Sequence, residues 1–597
     1  MKSLSAVLVA ASLLVAACGD DRQSTATESA SVDAAAALSA LFDEYFERSL
    51  ELNPIGATSI GDYRYNDRLA NSIGPEHRAA THALDSEFLA RLQEIDPSGL
   101  SDNDRISYEL FKHERELDIE AERFPGHLQP INQFRSMTNY FVQIGSGKGL
   151  HPFRMVKDYD DFLSRIDDFV IYVDQAMVNM REGMREGVVQ SRILMEKALP
   201  QVQSQIVESA EESSFYGPIN NMPEDFSAAD RERLTGAYRD AIENKLVPAY
   251  QRLNNFIGDE YLSAARETVG LYALPDGKAW YEFRVRRITT TDLTPDEIHQ
   301  IGLDEVNRIH EEMRGVMAEV GFDGDLHEFF EFMNTDEQFN FDEAEQLIQG
   351  YRDMTDHIAE LSKKLFAVFP KTEFEVRRIE PFREKSAAGG QYQSGTADGS
   401  RPGIFYANAY DIKSRPIWAM ESLFLHEAIP GHHFQRSLQR ENEDLPHFRR
   451  FGGYTAYTEG WGLYAESLGK ELGVYMDPYQ YFGALNAELW RAIRLVVDTG
   501  IHSKEWSRQE VLDFMYANSA VRSARAIAEA ERFMAIPGQA LAYKIGQLRI
   551  REIRDEAEAR LGDRFDVRDF HTQILMDGPL PLSVLEAKID DWVVSQL

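Results

Sequence analysis

Residues 417–440 read IWAMESLFLHEAIPGHHFQRSLQR. The run up to Leu425 is nearly all apolar, which predicts a helix buried on most sides. Into that helix the chain places His426 and Glu427, then Pro430 and Gly431, then His432 and His433. Ionisable side chains in an apolar interior are costly unless something compensates for them. A metal ion would do so. A His-Glu pair followed by a further His is a zinc-binding pattern, with the Glu acting as general base on the water the metal activates. The plainer alternative, a satisfied pair of core histidines at a kink, leaves this set of four on one apolar helix unexplained.

The spacing needs a local device. The position four residues after His426 is Pro430, which has no N–H for the carbonyl of His426, so the helix must kink or bulge there. On a straight helix rising about 1.5 Å per residue, an i+7 histidine would lie too far along. A two-residue bulge at Pro430-Gly431 lets His432 take the second ligand position, with His433 as the alternative. The best third ligand lies in YTEGWGLYAE, residues 457–466. Glu459 is read as beginning a helix 27 residues after His432, and Glu466 falls on the same face at i+7. From there Glu466 can orient a ligand from behind.

Working outward, the chain has 597 residues, 43% of them hydrophobic and 27% charged, which is globular composition. With 63 Lys and Arg against 99 Asp and Glu, the net charge is −36. Nucleic-acid binding needs a basic footprint and is excluded as a reading. The single cysteine, Cys18, allows neither an intrachain disulfide nor a cysteine zinc site. It follows a short leader, MKSLSAVLVAASLLVAA, with Lys2 and an apolar stretch too short to span a bilayer. Small residues before Cys18 resemble a bacterial lipobox, so residues 1–17 are read as a signal peptide and Cys18 as the lipidated mature N-terminus. Residues 18–34 are polar and read as a flexible tether. Asp20 does not directly follow Cys18, so an outer-membrane or periplasm-facing location is expected.

Helical spacing starts at Leu38, Leu41, Phe42, Tyr45, Phe46 and Leu50 and continues through long stretches at 80–120, 155–213 and 228–270. Thr294-Pro295-Asp296-Glu297 reads as a capped helix start. Residues 374–379 and 403–408 alternate like strands around a Gly-rich stretch, 388–399, which could be a surface loop or a lid. The division expected is a helical lobe over 35–370 and a catalytic lobe over 371–597, within one integrated body.

Four segments carry a family resemblance: His426–Gln435, Glu459–Tyr464, Arg491–His502 and Pro537–Gly546. Together they resemble the bacterial lipoprotein family called domain of unknown function 885, from about residue 38 to the C-terminus. More distantly, the pattern is similar to helical gluzincin peptidases of the thimet-oligopeptidase and carboxypeptidase Taq groups. The resemblance implies a mainly α, two-lobed helical bundle with a deep cleft and a small sheet beside the zinc helix. It departs from the gluzincin pattern in the two-residue expansion between Glu427 and His432.

What the resemblance implies about roles follows residue by residue. One Zn2+ per chain would be held by His426, His432 and Glu459, with Glu427 as base. Tyr543 is similar to the phenol that stabilises the oxyanion in helical gluzincins. His571 is a second donor by the same likeness, or a packing residue. The helix over 489–502 puts Arg491, Asp498 and His502 in line with Arg494 beside them, either as a cleft wall or as a solvated stripe. Arg532 follows on a later helix. Strand 403–408 would be an edge strand pairing with extended substrate, flanked by Tyr406 and Asn408. There is no phosphate loop, dinucleotide fingerprint or nucleophile elbow. The function expected is hydrolysis of short peptides by a lipid-anchored envelope protein. The competing readings are a metal-dead binding or scaffold lipoprotein and a metal-dependent hydrolase of non-peptide amides.

Overall fold

Between Asp20 and Leu52 the chain carries neither Gly nor Pro, and it runs as one helix, α1 (Asp20–Leu52). The computed structural model describes residues 20–379, 384, 388–395 and 402–597. The leader and the lipidation candidate Cys18 lie outside the described residues. Helical backbone runs from Asp20 through the described part of the stretch read as a tether, with no breaker between it and the amphipathic part of the helix. That part buries Leu38, Leu41 and Phe42 against Leu84, Phe88 and Phe111.

Helix α2 (Val156–Glu186) follows helical spacing closely. Tyr159, Phe162, Ile166, Phe169, Val173 and Met180 are all buried on one face. Full burial of such side chains contributes roughly 1.5–3 kcal/mol each. Gly187, at φ 76°, ends the helix. These residues belong to a core built entirely between Leu69 and Tyr261.

The hydrophobic cores run across residues 370/371. Helices α3 (Gly277–Thr289), α4 (Pro295–Glu319) and α5 (Ala344–Ser362) precede that point in sequence. Yet Val306, Ile309 and Met313 of α4 share a core with Leu489, Ile493 and Val497, and Leu347 and Tyr351 of α5 share one with Phe424 and Trp461. The capping box at Thr294 is formed as expected, with the Glu297 N–H donating to Thr294 Oγ1 at 3.3 Å.

Three strands form the small sheet: β1 (Phe374–Arg378), β2 (Gly390–Gln393) and β3 (Gly403–Ala407), in the order β1-β3-β2. β3 is parallel to β1 and antiparallel to β2. The strand expected at the edge is therefore the central one, buried at all five positions. Its continuous apolar run, Gly403-Ile404-Phe405-Tyr406-Ala407, is what two-sided burial requires. The edge strand packed against helices 420–427 and 432–441 is β2, which lies inside the stretch read as a loop or lid.

The chain then returns to helix: α6 (Met420–Glu427), α7 (His432–Glu441), α8 (Thr455–Ser467), α9 (Pro478–His502), α10 (Ser523–Ala535), α11 (Ala542–Leu561) and α12 (Val567–Leu575). The fold is mainly α, as expected, with one small three-stranded sheet packed against α6.

Candidate metal centre

The apolar run before His426 forms α6, with Phe424 and Leu425 fully buried. The helix stops at Glu427, and Ala428 leaves helical geometry at φ −105°, ψ −106°. A new helix starts at His432. So the expected bulge is a complete break, a four-residue turn between two helices. Two contacts explain why it forms. A Cβ at Gly431 would stand 1.9 Å from the His426 carbonyl oxygen, so only glycine fits. The Trp461 indole N–H donates to the Pro430 carbonyl at 2.8 Å and pins the turn.

The break folds His432 back over His426, with ring centroids 4.6 Å apart at 80°. Glu459 reaches the pair from the second turn of α8, which starts at Thr455 rather than at Glu459 itself. Its Oε2 lies 3.6 Å from His426 Nε2 and 3.5 Å from His432 Nε2. One donor atom from each of the three lies within 4.8 Å of the others. These separations are too long for hydrogen bonds. Tetrahedral zinc ligands at about 2.0–2.1 Å stand roughly 3.3 Å apart, which the donor set approaches. Two imidazoles and a carboxylate are also the donor chemistry zinc takes, so the residues fit the ion.

Behind His426, Nδ1 donates to Glu466 Oε1 at 2.7 Å. Glu466 Oε2 accepts from Ser422 Oγ, and Arg491 Nη2 lies 3.4 Å from Oε1. A carboxylate can only accept, so Nδ1 carries the proton and Nε2 faces Glu459. Burial opposes a charged ring at His426, but Glu459 and Glu466 outweigh it and hold the group at about 9. Burial works against Glu459 too, and the two histidines hold it well below the usual carboxylate range. The close approach of α8 to α6 depends on Gly462, where a Cβ would meet His426 Cε1 at 2.7 Å.

His433 points elsewhere. Its Nδ1 pairs with the Tyr392 hydroxyl at 2.9 Å, and its ring lies 4.6 Å from Phe374. Burial pushes it down to about 4. The geometry therefore brings His432, not His433, to the cluster. Glu427 is buried, and among the described residues it makes no hydrogen bond or ion pair.

Tyr543, in the first turn of α11, lies within the field of Glu459. Burial and that charge both raise its pKa. Arg494 stands 4.8 Å from the Tyr543 ring centroid. Arg494 donates to Glu529 Oε2 at 2.9 Å. Arg532 donates to Glu529 Oε1 at 2.8 Å and to Gln539 Oε1 at 2.6 Å. Glu529 was not read from the sequence, although it lies three residues before Arg532, where a helix pairs side chains. Ser422, four residues before His426, carried the same kind of signal.

Five expected site residues have other work. Asp498 is fully buried and accepts from the Tyr281 hydroxyl at 2.6 Å and from the Gly538 N–H at 3.0 Å, so it ties α9 to α3 and to the turn before α11. His502 accepts from the Leu271 N–H at 3.0 Å and donates to the Phe533 carbonyl at 3.0 Å, which uses both ring nitrogens. His571 is likewise fully engaged. Nδ1 pairs with the Leu365 carbonyl at 2.7 Å, Nε2 with the Tyr464 hydroxyl at 2.9 Å, and the ring stacks on Phe366. It is a packing residue, and burial pushes it down to about 3. Asn408 is fully buried and donates to the Glu384 and Ala388 carbonyls at 2.8 and 3.1 Å, fixing the loop rather than flanking a substrate. Tyr406 sits on the central strand beside Ile379 and Ile404, away from a free edge.

A cavity of about 300 Å³ lies between α4, α8, α9 and α11, lined by Glu305, Arg308, Glu466 and Glu488 among others. Glu466 reaches it, whereas His426, Glu427, His432 and Glu459 do not. It is therefore not the deep cleft expected at the metal ligands.

The fold recurs in solved structures. "The putative lipoprotein from Colwellia psychrerythraea" is 28% identical, with a TM-score of 0.87 over 94% of this chain and 99% of its own. "A putative lipoprotein of unknown function from Shewanella oneidensis" is 17% identical, with a TM-score of 0.73 over 92% of this chain and 98% of its own, and shares the fold. No curated protein matches the chain. Residues 54–589 match the family described as bacterial protein of unknown function, DUF885. The chain belongs to that family.

Proposed function

We propose that the protein is a zinc-dependent peptidase of the bacterial envelope, acting on short peptides. The observation that carries this reading is the convergence of His426 Nε2, His432 Nε2 and Glu459 Oε2, with Glu466 fixing the tautomer of His426 from behind. Such a backing carboxylate is a usual companion of a zinc-binding histidine. Zinc held there would supply Lewis acidity, activating a water and polarising a carbonyl.

The chain's own groups would supply the remaining chemistry. The Glu427 carboxylate, beside His426 and with no hydrogen-bond or ion-pair partner among the described residues, accepts a proton from the attacking water and returns it to the leaving amine. The Tyr543 phenol, kept protonated by burial and by Glu459, donates a hydrogen bond to the developing oxyanion. Arg494 holds that phenol by packing on its ring. Asp498 and His502 set the helices on which these groups stand.

An envelope location rests on the lipobox at Cys18 and on relatives named as lipoproteins. None of the described helices is long and apolar enough to cross a membrane. In this reading the lipid on Cys18 is the link to the bilayer.

Glu427→Gln tests the chemistry. Hydrolysis of a short-peptide library should fall at least about 100-fold with zinc content unchanged. Activity that survives the substitution would remove Glu427 from the role.

A further inference from the structure

The two histidines of the cluster are held differently from behind. His426 Nδ1 donates to Glu466. His432 turns its Nε2 toward Glu459, at 3.5 Å from Oε2. A metal taken at Nε2 leaves the ring proton of His432 on Nδ1, which is then a donor. That Nδ1 is buried and makes no hydrogen bond among the described residues. A buried donor without an acceptor is costly, and such an atom in a well-packed site asks for a partner.

The complementary atom lies one turn further along α7. Gln435 is 1% exposed, and its Oε1 is likewise buried without a partner. Its neighbour decides which end of the carboxamide is free. Gln439 Nε2 donates to the carbonyls of Arg449 and Gly452, both at 2.8 Å. Gln439 therefore presents Oε1 to Gln435, and Gln435 answers with Nε2 at 3.2 Å. What Gln435 has left is an acceptor, and what His432 has left is a donor. Residues three apart on a helix stand side by side, with Cβ atoms about 5–6 Å apart. Among the described residues, Gln435 Oε1 is the one partnerless buried side-chain oxygen on α7.

Resting on the metal-binding part of the function proposed above, we propose that Gln435 is the positioning residue of the second ligand. Its Oε1 accepts from His432 Nδ1–H, directly or across one water, when zinc is held. Gln435 and Gln439 then form a buried relay from α7 to the loop ahead of α8. Gly452, at the far end of that relay, is seven residues before Glu459, and α8 starts between them at Thr455. The relay thus registers the helix that carries His432 against the one that carries Glu459. Both carboxamides are neutral, so it adds no buried charge beside Glu459 and Glu466. A glutamine buried for packing alone has no reason to keep an acceptor free one turn from a ligand's free donor.

The test has two readouts, neither of them activity: zinc affinity, by competition with a chelator, and the His432 ring N–H proton resonance of the zinc-loaded protein with labelled histidine. Gln435→Leu keeps most of the volume and removes the acceptor. Zinc affinity should fall about 10- to 100-fold. At saturating zinc, the His432 N–H resonance should move upfield as its hydrogen bond is lost. Gln439→Leu leaves Gln435 Oε1 in place but frees its carboxamide, so affinity should fall in the same direction by less. Thermal unfolding of the zinc-free proteins checks that each is folded, and Gln439→Leu decides the matter if Gln435→Leu does not fold. Unchanged affinity in the folded variant, or lower affinity with the resonance unmoved, would overturn the role of Gln435 while leaving the metal centre standing. A wild type that holds no zinc would take both down.

Discussion

His426 Nδ1 donates to Glu466 Oε1 across 2.7 Å, and Glu466 also receives Ser422 and faces Arg491. This one contact fixes the tautomer and the orientation of His426, the first of the proposed metal ligands. Glu466→Gln keeps the volume but weakens the acceptor and can present its amide the wrong way round. Zinc affinity should fall about 10- to 100-fold, measured by competition with a chelator of known affinity. Unchanged affinity would mean that Glu466 serves only packing.

Tyr543→Phe keeps the ring under Arg494 and removes the donor. Turnover of a short peptide should drop about 100- to 1000-fold, with KM little changed and zinc retained. A change in KM alone would move Tyr543 from the oxyanion to substrate binding.

His571 was a candidate donor in the sequence, but both of its nitrogens are engaged inside the core. His571→Ala leaves a cavity beside Phe366 and two unpaired polar groups. It should cost roughly 2–4 kcal/mol in urea unfolding and leave the turnover of the folded fraction unchanged. Lost turnover at full stability would return His571 to the chemistry.

Asp498 supplies a pH signature remote from the metal ligands. Burial raises its carboxyl to about 7, against the pull of the Tyr281 hydroxyl and the Gly538 N–H. An unfolded Asp titrates near about 3.9. The folded state therefore holds the proton more tightly, and the stability this group contributes is full below about pH 4 and lost as pH rises through 7. Asp498→Asn has no such dependence. The stability of wild type minus that of the variant should fall by about 2–3 kcal/mol between pH 5 and pH 8, in urea unfolding at each pH. A constant difference would show Asp498 ionised in the folded protein throughout.

The parts legible in the sequence were those that local chemistry dictates. The apolar run before His426, the breaker at Pro430-Gly431 and the i+7 pair Glu459–Glu466 pointed to the three side chains that converge, His426, His432 and Glu459, and to the carboxylate behind them. Helical spacing from Leu38 onward set the fold class. The misplaced residues were misplaced by long-range packing. Strand 403–407 is central rather than at an edge because β2 forms from a Gly-rich stretch whose pairing depends on residues distant in sequence. His502, Asp498 and His571 are buried and saturated by partners 31 to 231 residues away, and no local pattern records such partners.

Metal content of the purified protein, by mass spectrometry after equilibration with zinc and dialysis, tests the central claim most directly. The wild type and His433→Ala should each retain one zinc per chain, and His432→Ala should lose it. A wild type without stoichiometric metal, or a His433→Ala variant that loses zinc while His432→Ala keeps it, would contradict the account.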